Sequence, residues 1–357
     1  MMQEGDRLKS KSDAMARTLI SAAVDKGLND IARDPKRSIR QLVDLGTFFA
    51  KGRFQRYFFD IFGEILHNDS SPYYDLVAGM VADVDRKLLK TFGMNLIYNG
   101  WTVGAKTVRK VEAETGCNVP WTLLLALEDT SDKTLADVQA VIDASHAAGI
   151  FSYMFFCTPG CDPTALSGIL QHNRTCAFLL FLEPAAVSPD LCALVLESKN
   201  AFLLVNMRAP GFAEKAAMLR ETHCLFGASY PYHAADAETI RSGALAAQAT
   251  AVKAPFLFFV AQPDCPMPVQ KDICAYTMQT RQAPADPILY IDLYSDLTYI
   301  GDVISSEPSC VRITDSNRKP LTPDDFRPFP EQWPFRQESP EQIMTFLQQQ
   351  ATKTKNG

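Results

Sequence analysis

Residues 121–157 read WTLLLALEDTSDKTLADVQAVIDASHAAGIFSYMFFC. The opening WTLLLALE is a short, continuous apolar run, too short for a buried helix and without the alternation of a half-buried strand, so it reads as a strand covered on both faces. TLADVQAVIDASHAAG follows with helical spacing, and IFSYMFFC is a second apolar run. A strand, a crossover helix and another doubly covered strand specify parallel pairing.

Outward from this unit the pattern repeats. CAFLLFL leads into SPDLCALVLESK, AFLLVNM into FAEKAAMLRET, CLFGASY into DAETIRSGALAAQATAV, and APFLFFVA closes the series. Six such strands predict an α/β fold, a partial (β/α)6 TIM-like barrel over residues 118–262, with its functional groups just past the C-terminal strand ends. Before it, residues 1–117 read as an all-helical domain. AMARTLISAAVDKGLNDIA, SIRQLVDLGTFFAKG, FQRYFFDIFGEILH and YYDLVAGMVADVDRKLLKTFG all repeat apolar residues every three or four positions, and Ser71-Pro72 has the form of a cap and first turn. Phe54, Tyr57, Phe58 and Phe62 form a stripe that reads as core. After Pro263 the chain becomes rich in proline and turns. ILYIDLYSDLTYIGDVI alternates like a hairpin, EQIMTFLQQQ reads as a terminal helix, and residues 263–357 form a small C-terminal extension.

The chain has 357 residues, 47% of them hydrophobic, with a formal net charge of −6. Residues 1–56 hold 12 Lys/Arg against 7 Asp/Glu, so this segment is net basic and the remainder acidic. The basic residues are interspersed with acids along helical sequence, a solvated face rather than a nucleic-acid patch. No run reaches the ~18 apolar residues of a membrane span. The opening MMQEGDRLKSKSDAMAR lacks a signal peptide's apolar stretch, so a cytoplasmic location is expected. The nine cysteines follow no disulfide framework.

The order of motifs resembles the radical S-adenosylmethionine family with a SPASM-type C-terminal segment. The resemblance rests on KGLNDIARDPKRSIRQLVDLG, TFGMNLIYNGW, NVPWTLLLAL, LADVQAVIDASHAAGIFSYMFF, RTCAFLLFLEPAAVSPDLCALVLESKNAFLLVNM and DDFRPFP, over residues 18–345. It implies a cluster loop with a CxxxCxxC pattern after the first strand. Here that strand runs directly into Glu128-Asp129-Thr130-Ser131-Asp132-Lys133-Thr134, without thiolates for an iron–sulfur core. The resemblance also implies Gly-Gly-Glu-Pro after the second strand, where this chain has Pro159-Gly160-Cys161-Asp162-Pro163. After the fourth strand an acid is implied, and Asn206-Met207-Arg208-Ala209 stands there. A reversed unit charge at ~4 Å changes the energy of a cationic ligand by about 4 kcal/mol at an effective dielectric near 20. Of the cysteines implied for auxiliary clusters, Cys274 has a counterpart, while Ile300 and Phe329 occupy two of the others.

These departures predict a degenerate member, without iron–sulfur clusters and with no cofactor expected, that binds a partner protein, a peptide or a small ligand. Two alternatives stay open: an enzyme with repurposed barrel-mouth chemistry, and a cryptic family enzyme that retains S-adenosylmethionine. Candidate ligand-binding residues at the strand ends are Cys161, Asp162, Glu183, Asn206, Arg208 and His233. Cys157 and Cys161 with Cys176, Cys192 or His172 do not make a zinc signature, which pairs two short-spaced couples, and no metal is expected. Phosphate loops, HExxH and GxSxG are absent from the sequence.

Overall fold

The computed structural model describes residues 4–50, 53–115, 119–304 and 311–313. The chain opens with helices α1 (Glu4–Ile31), α2 (Pro35–Phe49), α3 (Arg53–Leu66), α4 (Tyr73–Asp83) and α5 (Arg86–Gly93). Their starts follow capping chemistry. Asp34 accepts the Arg37 N–H ahead of Pro35 at the first helical position, and Asp85 accepts the Leu88 N–H at 2.8 Å. Leu28, Ile31, Ile39, Leu66, Tyr73, Tyr74 and Leu76 form a small core of their own.

Residues Met94–Gly104 continue as a π-helix before α6 (Ala105–Thr115). Eleven residues of this form are unusual, since i→i+5 bonding generally survives for a single turn. Tertiary bonds hold it. Buried Asn95 donates to the carbonyls of Arg174 and Cys176 at 2.8 and 2.9 Å, and Asn99 donates to the Thr175 carbonyl at 2.8 Å. All three carbonyls precede a barrel strand, so the π-helix is fastened to the N-terminal end of the sheet. Phe92 reinforces the attachment with an edge-to-face contact on Phe202 at 5.6 Å.

The barrel consists of β1 (Thr122–Leu127), α7 (Asp132–Ala147), β2 (Ser152–Cys157), α8 (Ser167–His172), β3 (Ala177–Leu182), α9 (Pro189–Ser198), β4 (Ala201–Asn206), α10 (Phe212–Glu221), β5 (Phe226–Tyr232), α11 (Ala237–Arg241), α12 (Ala244–Ala251) and β6 (Phe256–Ala261). All six strands expected from the sequence form, pair in parallel, and are buried along nearly their whole length. The sheet then runs on through α13 (Met267–Gln282), β7 (Leu289–Asp292), α14 (Leu293–Ile304) and β8 (Val311–Ile313). Strand order is β7-β6-β5-β4-β3-β2-β1-β8, all parallel. This is the cyclic order of an eight-stranded (β/α) barrel, left unpaired between β7 and β8 among the described residues, and therefore a partial barrel.

The segment 288–304, expected as a hairpin, is instead β7 followed directly by α14. Reciprocal capping decides the outcome: Asp292 accepts the Ser295 N–H at 3.0 Å while Asp296 accepts the Asp292 N–H at 2.9 Å. Beyond this cap Leu293, Leu297, Ile300 and Ile304 repeat with helical spacing and pack on the core. The Leu297 carbonyl accepts the Trp121 indole N–H at 3.2 Å, which ties α14 to the base of β1. The resemblance-derived positions Cys274 and Ile300 accordingly lie on helices α13 and α14. Phe329, DDFRPFP and the expected terminal helix EQIMTFLQQQ lie outside the described residues.

The pleat divides the strand side chains between two faces. Tyr153 bonds Ser145 of α7 at 2.9 Å, which marks its face as the helix-covered outside. On the opposite, inner face Phe156 and Phe181 stack at 4.3 Å with an interplanar angle of 6°, and Phe258 meets Phe181 edge-on at 6.0 Å. Aromatic rings of β2, β3 and β6 thus meet on the inner face of the sheet.

Candidate functional site at the barrel mouth

The connection from β1 to α7 is four residues, Glu128 to Ser131. It is closed from within: the Asp129 carboxylate accepts the Ser131 N–H at 2.8 Å and the Thr134 hydroxyl at 2.7 Å, and Ser131 caps α7. The Thr134 and Ser131 donors hold the Asp129 carboxyl below the usual carboxylate range. These residues, which the sequence reading set against a cluster-binding loop, form a tight self-contained turn.

Next to it, Cys161 is buried and its thiol donates to the Leu127 carbonyl at 2.8 Å. Asp162 accepts from both the N–H and the hydroxyl of Thr164, at 2.9 and 2.7 Å, and so caps the short turn before α8. The Thr130 hydroxyl accepts the Asp162 N–H at 3.2 Å, which laces the β2 loop to the β1 loop. Cys157, at the end of β2, sits on the outer face, where burial pushes its thiol pKa up. Cys161 and Asp162 therefore work as parts of loop architecture, on the β1–β2 side of the mouth.

Over β3 to β6 the strand-end groups are joined to one another. Asn206 donates to Glu183 Oε1 at 2.8 Å, with both residues on the inner pleat, and the Asn206 side-chain oxygen accepts the Arg208 N–H at 3.0 Å. The Arg208 guanidinium lies 5.0 Å above the Tyr230 ring and donates to the Pro231 carbonyl at 3.1 Å and to Asp236 at 2.5 Å. Asp236 also accepts the His233 N–H at 2.8 Å. Burial opposes its ionisation, but the His233 amide and Arg208 together outweigh that and hold its carboxyl below the usual range. His233 Nδ1 in turn meets Asp264 at 2.6 Å.

Glu183, Asn206, Arg208 and His233 thus belong to one chain of polar contacts. Two further members, Asp236 and Asp264, were not singled out from the sequence. Asp236 had a readable signal, since His233-Ala-Ala-Asp236 has the spacing of a capping box, and the Asp236 carboxylate accepts the His233 N–H as that motif requires. Asp264 had none. Beneath Glu183 and Asn206 lies the Phe156–Phe181 stack, with Phe156 partly exposed, so the mouth offers an aromatic floor and a polar wall.

An iron–sulfur cluster does not fit the residues at this mouth. The β1 turn contributes carboxylate and hydroxyl groups already committed to each other. The adjacent thiols are bonded to a backbone carbonyl or turned to the outer face. Among the described residues no group of three or more His, Cys, Asp and Glu is placed to hold a metal ion, and no helix is long and apolar enough to cross a membrane.

No family model matches the chain, and no curated protein matches it. Among solved structures it is similar to Streptococcus suis SuiB bound to S-adenosylmethionine, with 10% sequence identity and a TM-score of 0.45 over 65% of this chain and 67% of that one. SuiB bound to precursor peptide SuiA gives 10% identity and a TM-score of 0.43 over 66% and 67%.

Proposed function

We propose that this chain is a binding or accessory protein built on a radical S-adenosylmethionine-like barrel, whose mouth takes a peptide segment of a partner protein or a small ligand in place of an iron–sulfur cluster. The observation that carries this reading is the β1–α7 turn: four residues, closed by Asp129, where the resemblance implies a three-cysteine loop. The other strand ends support it. Asp162 is engaged as a cap, and Arg208 places a positive group where a cationic sulfonium ligand would need an acid. The surface that remains is the Glu183–Asn206 pair beside Phe156, a polar orienting group against an aromatic contact.

Anaerobic reconstitution of the full chain with iron and sulfide tests the proposal. The expected result is protein without bound iron; stoichiometric iron with sulfide-to-iron charge-transfer absorption overturns it. A thermal-shift screen with short peptides and with S-adenosylmethionine then identifies the ligand class, a hit being assigned to the mouth by its loss in Glu183→Ala.

A second reading, an enzyme with acid–base chemistry of its own, is favoured by one observation. The exposed His233 ring is oriented through Nδ1 by Asp264, a histidine–carboxylate pair of the kind that moves a proton in acid–base chemistry. An activity of the purified chain that disappears in His233→Gln would favour it over the first.

A further inference from the structure

Two deeply buried polar atoms without a hydrogen-bond partner among the described residues lie on the outer face of β5 to β7 beneath helix α13, and a third is carried by that helix. Tyr232 ends β5 and is in register with Ala261; Asp292 ends β7 and is in register with Phe259, one pleat lower on the same face of β6. On this face the intervening strand presents the methyl group of Ala261 beside Tyr232 and the ring of Phe259 beside Asp292. Helix α13 lies over this corner, its Tyr276 ring meeting Tyr290 of β7 edge-on. Thr277, fully buried, lies on α13 between Cys274, whose thiol Asp292 helps to keep protonated, and Arg281, whose charge acts on Asp292. Tyr232 and Thr277 are 0% exposed and Asp292 is 4% exposed, yet Tyr232 Oη, Thr277 Oγ1 and Asp292 Oδ2 make no hydrogen bond among the described residues. Such groups are rare in native interiors and call for an occupant.

The charges around this corner do not balance. Arg281 is committed to Asp296 at 2.8 Å, and the other Asp292 oxygen accepts the Ser295 N–H at 3.0 Å. One carboxylate oxygen is left in the interior with no cation at ion-pair distance, and two carboxylates there share the one charge of Arg281, an arrangement that costs far more than an unpaired hydroxyl. We infer that this corner is a binding site for a small monovalent cation, held by Asp292 Oδ2, Tyr232 Oη and Thr277 Oγ1. The chemistry of the donors selects the class. All three are hard oxygens, and the nearby thiols stay protonated because burial pushes them up, Cys265 to about 11, so soft metals find no thiolate. A single uncompensated negative charge matches one positive charge.

The site is tested by thermal unfolding of the full chain in sodium, potassium or ammonium chloride, each against tetramethylammonium chloride at equal ionic strength. A small cation should raise Tm by about 2 °C or more in a saturable way, since it binds only the folded state. The same Tm in all four salts overturns the proposal and leaves ordered water as the occupant. Asp292→Asn preserves shape and removes the charge, so it should abolish the dependence on cation identity. If that variant fails to fold, Tyr232→Phe should weaken the dependence instead, and rubidium anomalous scattering from crystals of the unmodified protein must place the ion beside Asp292. Rubidium found elsewhere, or a full cation response retained in Asp292→Asn, refutes the assignment.

Discussion

Asn95→Ala examines how the helical region is attached to the barrel. Asn95 is 2% exposed and donates through one amide nitrogen to the carbonyls of Arg174 and Cys176, while its oxygen accepts from Asn99 at 3.0 Å. Truncation to Ala leaves the Cys176 carbonyl without this donor in a fully buried position, and the Arg174 carbonyl in a partly buried one that water can reach. An unsatisfied buried group costs about 1–3 kcal/mol, so the Cys176 carbonyl should account for about 2 kcal/mol and the remaining losses for about 1 kcal/mol. With a urea m-value of about 3 kcal/mol/M, appropriate to a chain of this size, the midpoint falls by about 1 M. Asn99→Ala removes a single bond to the Thr175 carbonyl together with the contact to Asn95, and should cost about half as much. Because the two residues share that contact, the double variant should cost less than the sum of the singles. A midpoint shift below about 0.2 M for Asn95→Ala, or strict additivity of the pair, would refute the reasoning, because either result means that the barrel does not depend on the π-helix for those carbonyls.

Gly104→Ala probes the other side of the same attachment. An added Cβ would stand 2.4 Å from the carbonyl oxygen of Gly149, itself at φ +100°, so two backbones must separate, and the expected cost is about 3 kcal/mol in urea unfolding. Asp292 supplies a pH signature. Burial raises its carboxyl to about 6 in the folded chain, so folding favours its protonated form. Its contribution is therefore unfavourable above pH 6 and disappears as pH falls from 6 towards 4. In tetramethylammonium chloride, stability should rise over that interval by on the order of 3 kcal/mol relative to Asp292→Asn; a flat difference between the two proteins would show that Asp292 titrates normally.

The parallel sheet was legible because its strands are covered on both faces, so that runs such as AFLLFL and LLLAL contain only apolar residues. Segment 288–304 misled for the opposite reason. Tyr290, Asp292 and Tyr294 alternate with Leu289, Ile291 and Leu293 as a hairpin strand would, and only the reciprocal bonds of Asp292 and Asp296 turn that alternation into a strand end and a helix start. The π-helix was beyond the reach of periodicity as well, because its i→i+5 bonding is sustained by Asn95 and Asn99 reaching carbonyls about 80 residues away in sequence.

At the mouth, the rule that barrel chemistry gathers at C-terminal strand ends brought Glu183, Asn206, Arg208 and His233 into view, and these four share one network. The same rule grouped Cys161 and Asp162 with them, but in a loop so short of residues the local backbone claims such side chains first. Asp162 spends its carboxylate on Thr164, and Cys161 its thiol on Leu127. Strand-end position therefore separates into two kinds of residue. Asn206, the last residue of β4, is aimed by the sheet itself, and it holds Glu183, the residue that follows β3, by a side-chain bond. Cys161 and Asp162, further past their strand, are aimed by turn hydrogen bonds, and a ligand that needed Asp162 would first have to undo a cap worth about 1 kcal/mol. On this ground recognition should centre on the Glu183–Asn206 pair over the Phe156–Phe181 stack, with Arg208, Asp236 and His233 forming a rim that orders the loops around it.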